Sequence, residues 1–566
     1  MLLLGAVALI QCAFVPGFLS LKLARWRERS TLQLIVYAFA LSLLINYCLV
    51  YGLVVLRVYH RPAVFAFIAV ELAGAVWLLW NRRFVLRYRI DLSAIAEILA
   101  LRRPVGWLAF GLATAAFCWY GWISYKYFGS VFNDVDDLLS WDRWAEDWFL
   151  NRFPVAAGYY PQLLPANWSL TYVILGSTDV KMFAKALMSL FPIATSLLFV
   201  DVAWREKSPR YLFSVAIYGA LLSIFIGESR IVSGYMETAL PFFGFLAVYA
   251  LIETPDVFFA AVFAAGAALA KQGGLYFLPL CTVATLQRRS WRVIAGWLLI
   301  APWYVHQSIA IVQGKELSNI TYLANLASQG KGYLQVLVAA FGKLYNYSGF
   351  TKPFCGFLAI TLLLSLRDET ARKILLWALA PVLLLWALFF SYEVRTASIA
   401  FPFAAFCSAA GLFSLFRGHA IKPRNSRAVA ISINWYYPIA VAVCALVVAT
   451  LRTPDLLHKQ IEQQKNVGYP ELNRKLYAFL ASEGIHGKVA TDYRAFARLP
   501  ELKRYYQFFP EHTPVPSLEL VTEIPGVCYA LIVDSEFGPR AREALEHGVY
   551  RTIFFESRRR FIQTCR

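Results

Sequence analysis

The stretch VFNDVDDLLSWDRWAEDWFLNRFP, residues 131–154, sets Asp134, Asp136 and Asp137 almost side by side, and Asp142, Glu146 and Asp147 follow close behind. The chain around them carries a formal net charge of +19. Carboxylates crowded this closely repel one another. The crowding raises the proton affinity of at least one of them, or gives a cation a place to sit. A carboxylate of that kind can take the proton of a reacting hydroxyl. Leu138, Leu139, Trp141, Trp144, Ala145, Trp148 and Phe149 recur at spacings of three, four and seven, the apolar stripe of a short helix. Three tryptophans on that stripe suit a membrane interface. Asp142, Arg143, Glu146 and Asp147 are then expected to face water. Asp134, Asp136 and Asp137 stand at the N-terminal end of the helix, where its dipole favours anions.

Other charges interrupt apolar sequence. They are Lys271 in AALAKQGGLYFLP, Arg395 beside Glu393 in SYEVRTASIAFPF, Glu237 in GYMETALPFF and Arg230 in GESRIVSG. An unpaired charge in such surroundings is costly, so each should meet a partner or a ligand. Lys271, Arg395 and Arg230 are candidates for binding an anion. Glu237 is a candidate acceptor for a sugar hydroxyl or an ion-pair partner of Arg230. Lys343 and Lys352, at the edges of apolar runs, are weaker candidates, because a lysine there can simply extend its amine to water.

These residues need a scaffold, and composition says which kind. The chain has 566 residues, 59% hydrophobic and 16% charged, against about 25% charged in soluble proteins. The apolar runs 32–56, 105–123, 293–311, 374–390 and 433–451 approach or exceed the roughly 20 residues that cross a bilayer. The basic residues cluster in short loops between spans, as cytoplasmic loops do, and so give no reason to expect nucleic acid as a partner. Examples are Arg82 to Arg89, Arg205 to Arg210, Arg288 to Arg292 and Arg417 to Arg427. Placing these loops in the cytoplasm gives an α-helical polytopic membrane protein of about 12–14 spans with both ends of the chain outside. The first apolar run has no basic segment before it and reads as a retained span. The acidic stretch opens an outer loop over residues 128–180.

Residues 452–566 are mixed polar and hold no spanning segment. YPELNRKLYAFLASEG has helical periodicity and a glycine stop. KVATDY, CYALIVDS and YRTIFFES–RRRFIQTC read as strands, the last a hairpin. A small extracytoplasmic α/β domain is expected there, after a transmembrane catalytic region over 1–451. The nine cysteines show no metal-ligand spacing. If CYALIV and RRFIQTC pair antiparallel, Cys528 and Cys565 come within bridging range.

The frame of Asp136, Trp141 and Ala145 resembles the first outer loop of bacterial membrane glycosyltransferases of the GT-C class, which use lipid-linked sugars. The later stretches YYPQLLPANWSLTYVILGSTDVKMFAKAL, AALAKQGGLYFLP and SYEVRTASIAFPF resemble that class in the same order, so that the likeness covers most of residues 130–405. Trp144 and Gly273 depart from its pattern, where the class often has a lysine and an acidic residue. The resemblance implies an inverting transfer of a sugar from a polyprenyl-phosphate carrier to a cell-envelope glycan or lipid acceptor, on the outer face of a bacterial inner membrane. It implies an aspartate base at Asp136, with Asp137 and Asp134 as alternatives. It further implies phosphate and substrate contacts among Lys271, Arg395, Arg230, Glu237, Glu393 and Tyr160. No cofactor is expected, and a divalent cation at Asp134, Asp136 and Asp137 is the alternative role for that cluster. A transporter or flippase of a lipid-linked glycan is the competing function. Transporters commonly carry internal repeats, and none is visible here.

Overall fold

The computed structural model describes residues 2–81, 88–91, 103–154, 160–252, 256–286, 290–312, 333–414, 430–433, 453–465, 470–508, 527–533, 543–548, 551–556 and 559–563. Single positions within these ranges (27, 133, 135, 392, 544 and several between 486 and 504) are excepted. The protein is a polytopic helical membrane protein with a small C-terminal α/β domain. The first apolar run forms α1 (Leu2–Ala13) and α2 (Val15–Leu23), bent by 45° at Phe14. Pro16, in the first turn of α2, cannot continue an upstream helical ladder. Next come α3 (Thr31–Val55), α4 (Arg61–Trp80) and α5 (Arg103–Tyr127). The strands β1 (Tyr88–Asp91) and β2 (Ala430–Ile433) pair antiparallel. The expected span at 433–451 lies outside the described residues beyond Ile433.

The outer loop holds α6 (Asp142–Phe149) and leads into α7 (Leu163–Leu175). The bundle continues with α8 (Met182–Arg205), α9 (Arg210–Phe225), α10 (Ala239–Ile252) and α11 (Val257–Ala270). Then come α12 (Phe277–Leu286), α13 (Ile294–Val312), α14 (Tyr333–Tyr347), α15 (Lys352–Ser365), α16 (Glu369–Phe390) and α17 (Val394–Ser414). Among the described residues five helices are long and apolar enough to cross a bilayer, six with the bent α1–α2 pair. Five more apolar helices, among them α10 and α11, have 10–17 residues. A helix of 14 residues is about 21 Å long, short of a hydrocarbon core of roughly 30 Å. Among the described residues the full-length spans are therefore fewer than the 12–14 expected for the whole chain, of which the run 433–451 lies almost wholly outside them. The apolar runs of α10 and α11 are short in the sequence too, and the helices they form are correspondingly short. α10 and α11 pack against each other in the core, where the alanines of VFFAAVFAAGAALA allow close approach.

The C-terminal domain contains α18 (Thr453–Lys465) and α19 (Pro470–Ser482). Its sheet, in the order β4–β3–β5–β7–β6, is formed by β3 (Lys488–Thr491), β4 (Tyr506–Phe508), β5 (Val527–Val533), β6 (Arg551–Glu556) and β7 (Arg559–Gln563). β3 runs parallel to β4 and β5, and β5 and β6 run antiparallel to β7. Leu472, Leu476 and Leu480, one helical turn apart, bury the inner face of α19 in the domain's core. Tyr529 pairs with Gln563. Cys528 is disulfide-bonded, and Cys565 lies outside the described residues.

Candidate active site

Arg395 stands in the tight 3-10 opening of α17, just after the π turns that end α16. Thr396 holds that turn: its hydroxyl donates to the Phe390 carbonyl at 2.6 Å and accepts the Trp386 indole N–H at 2.9 Å. Arg395 is thereby fixed, 9% exposed, with its guanidinium 3.9 Å from the centre of the Tyr235 ring. Nη2 donates to Asp136 Oδ2 at 2.7 Å, Nε bonds Glu393, and Glu237 Oε1 lies 3.8 Å away. Among the described residues Nη1 is buried with no acceptor. Leaving a buried cationic N–H unsatisfied is expensive, and an anionic oxygen is its natural complement.

Lys271 enters the same site from the C-terminal end of α11, where a cation is favoured. Its Nζ donates to Glu237 Oε1 at 3.2 Å. The chain then turns at once into a 3-10 segment, Gln272–Tyr276. Gly274 permits this, because a methyl group there would collide with the backbone of Ala267. Glu237, 2% exposed, has its second oxygen, Oε2, without a partner among the described residues. Of the two roles expected for Glu237, the pairing with Arg230 is not formed among the described residues. Glu237 turns inward to Arg395 and the partly buried Lys271, while Arg230 stays exposed at the rim, 5.9 Å from the Tyr235 ring centre.

The aspartates arrive on a π turn, Asp137–Trp141, that leads into α6. Such turns widen a helix and are frequent at functional sites. Asp136 remains half-exposed, with 44% of its side chain open to solvent. Asp137 is fully buried: Oδ2 accepts the Gly234 N–H at 3.2 Å, and Oδ1 has no partner among the described residues. A methyl group on Gly234 would come within 2.5 Å of Asp137 Cβ. Burial, followed by the charge of Asp134, pushes the Asp137 carboxyl up to about 7 against the opposing pull of the Gly234 N–H and Lys185.

The face of α6 expected to meet water is buried. Asp142 and Glu146 converge on Lys181, at 2.9 and 2.8 Å, and the Tyr172 hydroxyl donates to Asp142 at 2.5 Å. Asp147 pairs with Arg152 at 2.6 Å. The tryptophans do not mark a membrane interface either. Trp141, Trp144 and Trp148 are all buried, the first two against Tyr160 at 5.4 and 5.6 Å. Lysine and arginine from neighbouring segments neutralise the carboxylates, so α6 can bury both faces.

Asp136, Asp137, Glu237, Lys271, Glu393 and Arg395 thus form one site. Asp134 acts on it through its charge, Arg230 stands at its rim, and Tyr160 belongs to the tryptophan cluster. Tyr235, Gly234, Lys181 and Lys185 were not singled out from sequence. The lysine pair had a signal: two lysines four apart in the apolar stretch DVKMFAKAL. Lys185 donates to Ser130 Oγ at 2.6 Å and to the Val131 carbonyl at 2.9 Å, bracing the entry to the aspartate turn. Among the described residues no group of three or more histidine, cysteine, aspartate or glutamate side chains is arranged to hold a metal ion.

No protein-family model and no curated protein matches the chain. It is similar in structure to ArnT from Cupriavidus metallidurans, solved in the apo state and bound to undecaprenyl phosphate. In both cases identity is 14% and the TM-score 0.45, over 81% of this chain and 98% of the other. A likeness at that level concerns overall outline and says nothing of chemistry.

Proposed function

We propose that this protein is a membrane glycosyltransferase that moves a sugar from a polyprenyl-phosphate carrier to a cell-envelope glycan or lipid acceptor, with inversion at the anomeric carbon. The observation that carries this reading is the buried Arg395, with one nitrogen lacking an acceptor and another holding the half-exposed Asp136. A donor phosphate has the oxygens that Nη1 lacks, and Lys271 adds a second positive charge nearby. As the phosphate takes over the guanidinium, Asp136 is released to act as base. The acceptor O–H proton then passes to the Asp136 carboxylate, and the oxygen attacks the anomeric carbon. The bond from that carbon to the phosphate breaks, and its electron pair leaves on the phosphate, where Arg395 and Lys271 neutralise it. One displacement without a covalent intermediate inverts the centre. Glu237, with a free oxygen beside both cations, orients them or accepts a sugar hydroxyl. None of these steps calls for a metal ion.

The deciding assay uses the purified full chain in lipid vesicles with a radiolabelled sugar on a synthetic polyprenyl phosphate. Transfer to an envelope-lipid acceptor, with release of polyprenyl phosphate, is the expected result. Movement of intact donor across the bilayer without cleavage would establish a flippase instead.

A further inference from the structure

Three consecutive residues of the aspartate turn are held by three different partners. Asp136 reaches Arg395, Asp137 is pinned against Gly234, and Leu138 leaves the membrane region altogether. Its side chain, 3% exposed, belongs to the core of the C-terminal domain with Leu472, Leu476 and Leu480 of α19 and Val489 of β3. The approach to the turn is gripped by the same part of the chain. Gln463 of α18 accepts the Val131 N–H at 3.2 Å. Leu456 of α18 covers Gly129, whose φ of +81° suits only glycine and where a methyl group would come within 2.7 Å of Leu456 Cδ2. Gln460, itself buried, donates to the Asp179 carbonyl at 2.7 Å, two residues before Lys181. One helix of the C-terminal region therefore bridges the segment that leads into the aspartate turn and the segment that leads to Lys181, and Lys185 clasps residues 130 and 131 from the other side.

We propose that the C-terminal domain is a positioning element of the transfer site, and that Leu138 is the positioning residue through which its docking reaches Asp136 and Asp137. The proposal rests on the glycosyltransferase reading above. Leu138 touches no reacting atom and acts through the turn it shares with the aspartates. With Leu138 seated, the turn has one orientation and Asp136 stays within reach of Arg395. With the seat empty, the turn is tied to the membrane region alone and can rotate. A base displaced by about 1 Å loses up to a hundredfold in rate.

The test compares the wild-type full chain with Leu138→Ala and with Leu138→Met, which nearly conserves volume. Donor kcat and KM are measured, together with amide hydrogen exchange. Leu138→Ala should lower kcat about tenfold or more, on the same positional argument, and leave donor KM nearly unchanged. Exchange should quicken over residues 136–141 while β3, β5 and β7 keep their protection. Leu138→Met should recover most of the rate. A wild-type kcat in Leu138→Ala overturns the proposal. So does a loss of protection throughout the domain, which would make Leu138 an ordinary core residue. If the wild-type chain transfers no sugar, the reading of the site fails. Exchange then decides the mechanical coupling alone, and unchanged exchange over 136–141 in Leu138→Ala rejects it.

Discussion

Arg395 is bound on three sides by carboxylates and open at one nitrogen, which is the condition of a cation waiting for a stronger anion. Arg395→Lys keeps the charge but loses the fork that can bind phosphate while still touching Glu237. Donor affinity should drop about tenfold or more, in line with the roughly 1.5–3 kcal/mol of a charge-assisted bond. Titrating the variant with a polyprenyl phosphate checks this, and unchanged affinity removes Arg395 from the phosphate site. Asp136→Asn should abolish transfer and leave that affinity intact. Full activity in this variant would disqualify Asp136 as the base. Asp137 has a different signature. Its carboxyl is raised to about 7 in the folded protein, against about 3.9 for an unperturbed aspartate. The folded state therefore favours the protonated form. Its contribution to stability is complete below about pH 4 and is lost as the pH rises towards 7. Thermal unfolding of the wild type should weaken across that window relative to Asp137→Asn. Parallel curves for the two proteins would show that Asp137 does not titrate there.

At the scale of elements, α6 and its lysine partner carry the clearest lesson about what a sequence displays. Lys181→Met should destabilise the fold by about 3–5 kcal/mol, because it leaves Asp142 and Glu146 buried without their cation. A thermal shift near zero would mean that these carboxylates take up protons at little cost. The short helix in the outer loop was legible from the 3, 4 and 7 spacing of its apolar residues. Its burial was not, because spacing shows which residues share a face and not what covers the other face. Lys181, a long way along the chain, makes the difference. The hairpin β6–β7 and the helix α19 were also readable, each from periodicity within one segment, whereas Asp136, Lys271 and Arg395 stood out only singly, as charges in or beside apolar sequence and through the resemblance. Tyr235 under the guanidinium and Gly234 against Asp137 were hidden, since both matter only through closeness to residues far off in sequence. The shortness of α10 and α11 was visible in their short apolar runs, but hydropathy did not say whether they cross the bilayer.

Across the whole molecule, α8 fixes which polar groups share an end. Its 24 residues span about 36 Å at 1.5 Å per residue, a full membrane crossing. Lys181 stands just before one end, with Asp142 and Glu146. Arg205 closes the other, bound to Asp201, which also accepts the Tyr249 hydroxyl. α18 joins the first end through the bond from Gln460 to the Asp179 carbonyl. The C-terminal domain therefore lies at the same end of α8 as the aspartate site. The opposite end carries the basic loop of Arg205, Lys207 and Arg210, which the positive-inside rule assigns to the cytoplasm. If that loop is cytoplasmic, as the rule expects, the site and the domain face outward together. Ser482, exposed at the end of α19, reports the side directly. A Ser482→Cys variant should react with a membrane-impermeant maleimide in intact spheroplasts, and a cysteine introduced at Lys207 should react only after the membrane is broken. If the pattern is reversed, the site faces the cytoplasm. If both positions label in intact spheroplasts, α8 does not cross the membrane between Lys181 and Arg205, and the shared-face argument fails with it.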